Sequence, residues 1–185
     1  MVDNAATDRQ LLERITAGDH AAFAALVKMH SLRFYRVAYR FLGNRERAED
    51  MVQEAFLKLW ENPSIWNPGS NAKFTTWFYR VVVNLCLDAK KKYTPLQLAE
   101  DFDAADEAET QEEALIETEK RALLDKEIND LPERQKTAVV LCFMEGLSNQ
   151  EAAEVMGLQL KALQSLLMRA KERLSLRLKA YREVA

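Results

Sequence analysis

Apolar residues recur at intervals of three and four along most of residues 8–93, which is the spacing of amphipathic helices. The pattern is interrupted at Gly18-Asp19, at Gly43-Asn44 and across the polar stretch 62–71, which contains two prolines and a glycine. These interruptions divide the segment into four predicted helices. Their limits are about 8–17, 20–41, 45–61 and 73–92.

The helical spacing returns nearer the C-terminus, where it predicts a helix at about 112–129. Leu131-Pro132 follows, and proline suits the first turn of a further helix at about 132–145. The chain has only 5 Gly and 4 Pro in 185 residues, so few positions favour turns. We therefore predict an all-α protein, and a β-sandwich or a glycine-dependent nucleotide-binding fold is disfavoured.

Residues that typically begin or end a helix are most frequent between positions 146 and 160. Gly146 can cap the preceding helix, and Ser148 with Glu151 three residues later forms the pattern of a capping box. The short helix that begins there ends at Gly157, and a second helix starts near Leu160. The small residues Ala152 and Ala153 of the short helix allow the two helices to cross closely. A capped short helix, a glycine turn and a second helix in this order predict a helix-turn-helix.

The second helix of this motif presents polar side chains on its outward face. Residues 161–182 hold seven bases and one acid. Gln, Ser and Lys side chains can bond base edges in the major groove, while Arg holds phosphates. A three-helix bundle with a solvated basic face is the alternative interpretation. The cap, the glycine turn and the basic run occur together in this order, which favours DNA binding.

The formal charge of −3 conceals an uneven distribution. Residues 94–119 contain ten acids and no base, which leaves 26 bases against 19 acids elsewhere. Residues 100–113 also lack a helical apolar stripe, as expected of a solvated linker. Composition does not decide whether this linker is only a soluble spacer or has a function. The predicted organisation is a domain at 1–93, an acidic flexible linker at 94–112 and a domain at 113–185.

The predicted helices at 45–61 and 73–92 each carry polar groups away from their apolar faces. On the first, Asp50, Gln53, Glu54 and Leu57 are available to a partner. On the second, a basic and polar face follows the proline-containing stretch.

Aromatic residues lie beside this basic face, among them Trp66 and Trp77, with Arg80 and Asn84 farther along the helix. Rings next to cations suit single-stranded nucleic acid, because bases stack on the rings while the cations neutralise phosphate. Aromatic residues at helical spacing more often belong to a core, and Trp77 alone would be assigned there.

Both halves of the chain resemble one family, the extracytoplasmic-function (group 4) sigma factors of the sigma-70 family. The segment RAEDMVQEAFLKLW resembles regions 2.1–2.2, which dock on RNA polymerase, and FTTWFYRVVVNLCLDAKKK resembles regions 2.3–2.4, which open and read the −10 element. Residues 131–174 resemble region 4, whose helix-turn-helix reads the −35 element. The resemblance implies a four-helix sigma-2 domain and a sigma-4 domain joined by the acidic linker.

The resemblance also assigns roles to individual residues. It implies binding of core RNA polymerase, recognition of promoter DNA, restraint by an anti-sigma factor, and no cofactor, metal or catalytic residue. The implied polymerase contacts are Asp50, Gln53, Glu54 and Leu57. The implied −10 contacts are the loop 62–71 with Trp66, and Lys73, Trp77, Arg80 and Asn84. The implied −35 contacts are Lys161, Gln164, Ser165, Arg169 and Arg173.

Three other classes of protein were weighed. A sigma-like decoy that sequesters an anti-sigma factor would share the fold without needing the DNA-facing bases, which this chain retains. A stand-alone repressor would need a dimerisation element, and no heptad seam is evident. An enzyme is least expected, because the acids cluster in a linker and the two histidines have no metal-ligand spacing. His30 is expected to be an ordinary surface or boundary histidine.

Compartment and redox state were inferred from what the chain contains. It has no apolar run of the roughly 20 residues that span a bilayer, and its first residues do not resemble a secretory signal. We therefore expect a cytoplasmic protein with no membrane segment of its own. Cys86 and Cys142 are expected to act as small buried hydrophobes in a reducing compartment.

Overall fold

The structure, a computed structural model, describes residues 4–66, 73–92 and 122–184. Every regular element within these residues is helical, which confirms the all-α prediction. The chain divides into two compact units, Met1–Glu100 and Asp101–Ala185. The predicted linker 94–112 lies outside the described residues, and the predicted domain limits stay predictions.

Within its described residues, the N-terminal unit has four α-helices and one short 3-10 turn. These are α1 (Asn4–Thr16), α2 (His20–Leu42), α3 (Arg45–Glu61), the turn Pro63–Ile65, and α4 (Phe74–Lys92). The last three α-helices match their predicted limits within one residue. Helix α1 begins at Asn4, earlier than the predicted residue 8. The residues before position 8 carry no apolar stripe, so the pattern did not indicate this start, although their two alanines favour a helix.

The interruptions in the apolar pattern prove to be helix caps. The Asp19 carboxylate accepts hydrogen bonds from the backbone N–H groups of Ala21 and Ala22, at 2.9 and 3.0 Å. Gly43 ends α2 in the left-handed conformation at φ 63°, and the Asn44 side chain caps α3. Each cap satisfies backbone groups that the helix leaves without partners. These local bonds explain why the helix limits were predictable.

An aromatic cluster fixes α4 against α2 and α3. Phe34 of α2 lies at its centre and is fully buried. Its ring centroid is 4.6 Å from that of Phe78, 5.0 Å from that of Tyr79 and 6.4 Å from that of Phe56. Tilted and edge-on pairs of this kind add to the stabilisation from burial alone. The opposite faces of α3 and α4 are left to solvent.

The described part of the C-terminal unit, residues 122–184, contains four α-helices and a π-helical segment. The described part of α5 covers 122–129, and the following elements are α6 (Glu133–Val139), the π segment Val140–Met144, α7 (Asn149–Met156) and α8 (Leu160–Val184). Residues 112–121 of the predicted helix 112–129 lie outside the described residues.

The predicted helix at 132–145 forms over residues 133–144, but its second half is a π-helix. The N–H group of Glu145 bonds the carbonyl of Val140, five residues earlier, at 3.0 Å. This is the register of a π-helix. Apolar spacing reports which residues face the core, and it does not distinguish an i−4 from an i−5 hydrogen bond. Gly146 then turns the chain at φ 69°.

The helix-turn-helix forms as predicted. The Ser148 hydroxyl accepts a hydrogen bond from the Glu151 N–H at 3.2 Å, and the Glu151 carboxylate accepts one from the Ser148 N–H at 3.0 Å. Gly157 ends α7 in the left-handed conformation. Ala152 and Ala153 are fully buried, so α7 and α8 approach closely. The capping box and the glycine turn together set the direction in which α8 leaves α7.

Removing this cap should weaken the C-terminal unit measurably. We expect Ser148→Ala to lower its stability by about 1 kcal/mol, because an N-cap hydroxyl is lost. For a unit of this size that loss corresponds to a fall of about 4–8 °C in its melting temperature. Calorimetry of the full chain measures it. Ser165→Ala is the matched control, since its hydroxyl donates to the Lys161 carbonyl inside α8 and contributes little there. Equal melting temperatures for the two variants would contradict the role of the cap.

Candidate nucleic-acid and polymerase interfaces

Helix α8 separates its predicted DNA contacts from its core contacts. Leu163 and Leu167 are buried against the rest of the unit. The predicted −35 residues all lie on the exposed side: Lys161, Gln164, Ser165, Arg169 and Arg173. The structure therefore presents amide, hydroxyl and cationic groups along the accessible side of a helix that packs on the core of its unit.

Arg177 belongs to the same basic run but has a different environment. Its guanidinium donates to the Glu127 carboxylate at 2.9 Å and to Asp130 at 3.3 Å, and the Glu127 side chain is only 4% exposed. The hydrogen bond that Arg177 donates to the Glu127 carboxylate raises the pKa of Arg177 above its ordinary value. This bridge links α5 to α8 and withdraws Arg177 from the cationic face. The partner lies 50 residues away, so sequence spacing gave no sign of it.

Lys171 is also held by a neighbour within the unit. Its ammonium group lies 5.0 Å from the centroid of the Phe143 ring, a cation–π distance. Phe143 stands exposed in the π segment. The contact joins the π segment to α8 beside the predicted DNA-binding residues.

Helix α4 carries the predicted −10 contacts on its accessible side. Lys73, Arg80 and Asn84 are exposed. Trp77 is partly buried, with its ring centroid 5.9 Å from that of Phe74 and 5.8 Å from that of Phe78. The core thus fixes one edge of the indole, while the other part of the ring stays accessible beside the polar residues.

Trp66 does not lie where its predicted role requires. It is only 7% exposed and packs edge-to-face on Phe74, with the centroids 6.1 Å apart and the planes at 89°. Its indole N–H is buried without a hydrogen-bond partner. A buried ring offers no face for a base, so we leave Trp66 out of the proposed interface. Residues 67–72 of the predicted loop lie outside the described residues.

Helix α3 presents its predicted polymerase contacts together. Asp50, Gln53 and Leu57 are exposed, Leu57 to the extent of 55%. Glu54 is half-buried and pairs with Lys58 one turn later, at 2.7 Å. The arrangement is an apolar side chain bordered by acidic and amide groups, on the side of α3 opposite its core contacts.

The prediction for His30 is wrong. It is 2% exposed, and its Nε2 lies 2.7 Å from the Asp8 carboxylate, which is also buried. No sequence pattern indicated this partner, because no acid lies near His30 along the chain. Asp8 is 22 residues earlier, and only the packing of α1 on α2 brings the two together.

Other candidate chemistry is sparse in the described part of the chain. There, no group of three or more His, Cys, Asp and Glu side chains is arranged to hold a metal ion. Burial raises the pKa of the Cys86 thiol to about 12, and that of Cys142 moves in the same direction. Both thiols therefore stay protonated at neutral pH. None of the described helices is sufficiently long and apolar to span a bilayer.

Comparison with known proteins identifies both units. The family model for sigma-70 region 2 matches residues 26–94, and that for sigma-70 region 4 matches residues 121–174. An ECF RNA polymerase sigma-E factor of Haemophilus influenzae is 33% identical over 177 residues, covering 90% of this chain and 92% of that protein. The chain belongs to the extracytoplasmic-function sigma factors. It is a transcription initiation factor of the sigma-70 family, as the resemblance implied.

Two further relatives place this sigma factor in its family. It is 33% identical over 164 residues to the ECF RNA polymerase sigma factor SigE of Mycolicibacterium smegmatis, covering 85% of this chain but only 63% of that protein. The solved structure of CnrH in complex with the cytosolic domain of CnrY matches with a TM-score of 0.71 at 25% identity, covering 94% of this chain and 98% of CnrH. Helix α1 and the end of α8, including Arg177, lie outside the segments matched by the two family models.

Proposed function

We propose that this sigma factor binds core RNA polymerase through α3, opens and reads the −10 element with α4, and reads the −35 element with α8. One observation carries the proposal. Two separately folded helical units each present a cationic and amide-bearing helix face, and each such helix is fixed from behind by a buried core. This is what one protein needs to bind two stretches of the same promoter.

At the −35 element, α8 enters the major groove. Helix-turn-helix proteins contact base edges with the N-terminal part of the second helix. Lys161 and Gln164 lie in that part, where they donate to base edges. Arg169 and Arg173 lie farther along the helix and hold phosphates, which sets the register of the helix on the duplex.

At the −10 element, the accessible part of the Trp77 ring stacks on an unpaired base. Lys73 and Arg80 neutralise neighbouring phosphates, and Asn84 bonds a base edge one turn farther along α4. Extruding a base costs a few kcal/mol, which stacking and phosphate contacts can offset. The sigma factor contributes binding energy in this mechanism and makes or breaks no covalent bond.

On the polymerase side, α3 inserts Leu57 into an apolar pocket of the core enzyme. Asp50, Gln53 and Glu54 surround it and bond polar groups at the rim. A central apolar anchor within a polar rim is the usual anatomy of a protein interface.

Truncating this anchor should weaken binding to core RNA polymerase. We expect Leu57→Ala to cost about 1–2 kcal/mol, roughly a tenfold loss of affinity, because the buried part of the side chain is lost. Competition against a labelled sigma factor for core enzyme measures it. The matched control is Leu32→Ala on α2, which removes a leucine of similar exposure, 60%, outside the proposed interface. Equal losses from both variants would contradict the assignment to α3.

An anti-sigma factor is the proposed regulator, and the cytoplasm, where the polymerase transcribes, is the proposed location. The fold relative CnrH is bound by the cytosolic domain of CnrY, which supports a protein partner of this kind. Purification from native cells under mild conditions should yield a small inhibitory partner that dissociates when the sigma factor becomes active. Repeated isolation of a chain with no such partner would count against this regulation.

Transcription from purified components tests the proposal. Core polymerase with this chain should give discrete transcripts from a library of genomic promoters, and the mapped start sites should share −10 and −35 sequences. Core enzyme alone is the control. If no specific transcript forms while the chain still captures an anti-sigma factor, the chain acts as a decoy and the proposal fails.

A further inference from the structure

The Asp8–His30 pair is a buried polar contact that the mechanism above does not use. The two atoms are 2.7 Å apart, and the side chains are 4% and 3% exposed. The contact joins α1 to the middle of α2. Burying two polar side chains costs free energy unless they bond each other well, and this bond fixes the angle of the imidazole ring about its own axis.

The imidazole in turn contacts the first residue of α4. The centroid of the His30 ring is 5.8 Å from that of Phe74, and Phe74 lies 5.9 Å from Trp77 by the same measure. Phe74 directly follows Lys73. Two of the proposed −10 contacts, Lys73 and Trp77, therefore adjoin Phe74: one precedes it directly in the chain and the other packs against its ring.

The geometry points to Asp8 and His30 as positioning residues for the −10 element: the carboxylate orients the imidazole, and the imidazole holds Phe74 and with it the first turn of α4. The inference rests on the proposed function, since it concerns how Lys73 and Trp77 are presented to DNA. The two residues touch no nucleic acid.

A purely structural role is the alternative, in which the pair only attaches α1 to α2. The double variant Asp8→Leu/His30→Leu separates the two roles. Replacing both partners of a buried polar pair by apolar groups of similar volume often leaves stability nearly unchanged. The variant is therefore expected to stay folded while it loses the oriented ring.

The measurement is promoter opening by the holoenzyme, followed with a fluorescent adenine analogue within the −10 element. We expect the double variant to open the promoter about tenfold less well, the factor that one oriented hydrogen bond can supply. Its affinity for core polymerase and for a −35 duplex should not change. The single variant Asp8→Asn should open the promoter as well as the wild type, because its amide oxygen can still accept a hydrogen bond from His30 Nε2.

Asp19→Ala is the stability control. It removes the cap of α2 and the pairing of Asp19 with Arg14 in the same unit, without touching Phe74. It should lower the melting temperature and leave opening intact. A folded double variant that opens the promoter as well as the wild type overturns the inference alone. A wild-type holoenzyme that opens no promoter overturns the proposed function and the inference together.

Discussion

Replacing His30 alone by leucine should lower the free energy of unfolding of the N-terminal unit by about 3–5 kcal/mol, because the substitution leaves a buried carboxylate without its partner. Asp8→Leu should destabilise the unit in the same way, through the unpaired imidazole. The chain has 3 Trp, at positions 60, 66 and 77, so tryptophan fluorescence during urea unfolding reports on this unit specifically.

The double variant closes a thermodynamic cycle. Asp8→Leu/His30→Leu removes both polar groups. Its loss of free energy of unfolding should therefore be smaller than the sum of the two single losses by several kcal/mol. An exposed pair in the same unit supplies the control. Glu54 and Lys58 are also 2.7 Å apart, but their side chains are about half exposed, so Glu54→Gln should cost less than about 1 kcal/mol. Additive single losses, or losses as small as that of the control, would contradict a coupled buried pair.

Removing the two phosphate-binding arginines of α8 should strongly weaken binding to the −35 element. Each phosphate contact contributes about 0.9 to the slope of log K against log salt. The double variant Arg169→Gln/Arg173→Gln should therefore flatten the slope by about 1.8. With equal binding at 1 M salt, that difference corresponds to a loss of about sixtyfold at 0.1 M. Titration of the holoenzyme with a −35 duplex at several salt concentrations measures both quantities.

Arg177→Gln is the matched control for this experiment. Arg177 lies on the same helix but bonds Glu127 and Asp130, so its loss should lower the stability of the C-terminal unit without changing the salt slope. Gln164→Ala should instead reduce binding in a sequence-dependent way, by about 1–3 kcal/mol on the preferred element, because a base contact is lost. A change in the salt slope from Arg177→Gln as large as that from Arg169→Gln would contradict the assignment of Arg169 to DNA and of Arg177 to the bridge with Glu127 and Asp130.

Helix limits were predictable wherever the determining bonds are local. Asp19 and Asn44 cap the helices that directly follow them, and Ser148 bonds a residue three positions away. Such signals lie within one turn of sequence. The helix-turn-helix followed from the capping box and glycine turn of α7, and the exposed side of α8 followed from its apolar stripe, which is buried at Leu163 and Leu167.

The features that the sequence did not reveal depend on long-range packing. His30 meets an acid 22 residues away, and Arg177 meets one 50 residues away. Trp66 is buried because Phe74, beyond an intervening segment, provides the ring on which it packs. No local pattern encodes these partners. Each of them changes which side chains are available at the proposed interfaces, so the environment of individual site residues could not be predicted from local patterns.

Site-specific photo-crosslinking in the open complex tests the central claim most directly. A photoreactive amino acid replaces Asn84 in one variant and Gln164 in another, and each variant is bound to core polymerase on one promoter of mapped start site. The account predicts crosslinks from position 84 to the −10 element and from position 164 to the −35 element. Crosslinks from both positions to protein alone, or to DNA at places unrelated to these elements, would contradict it.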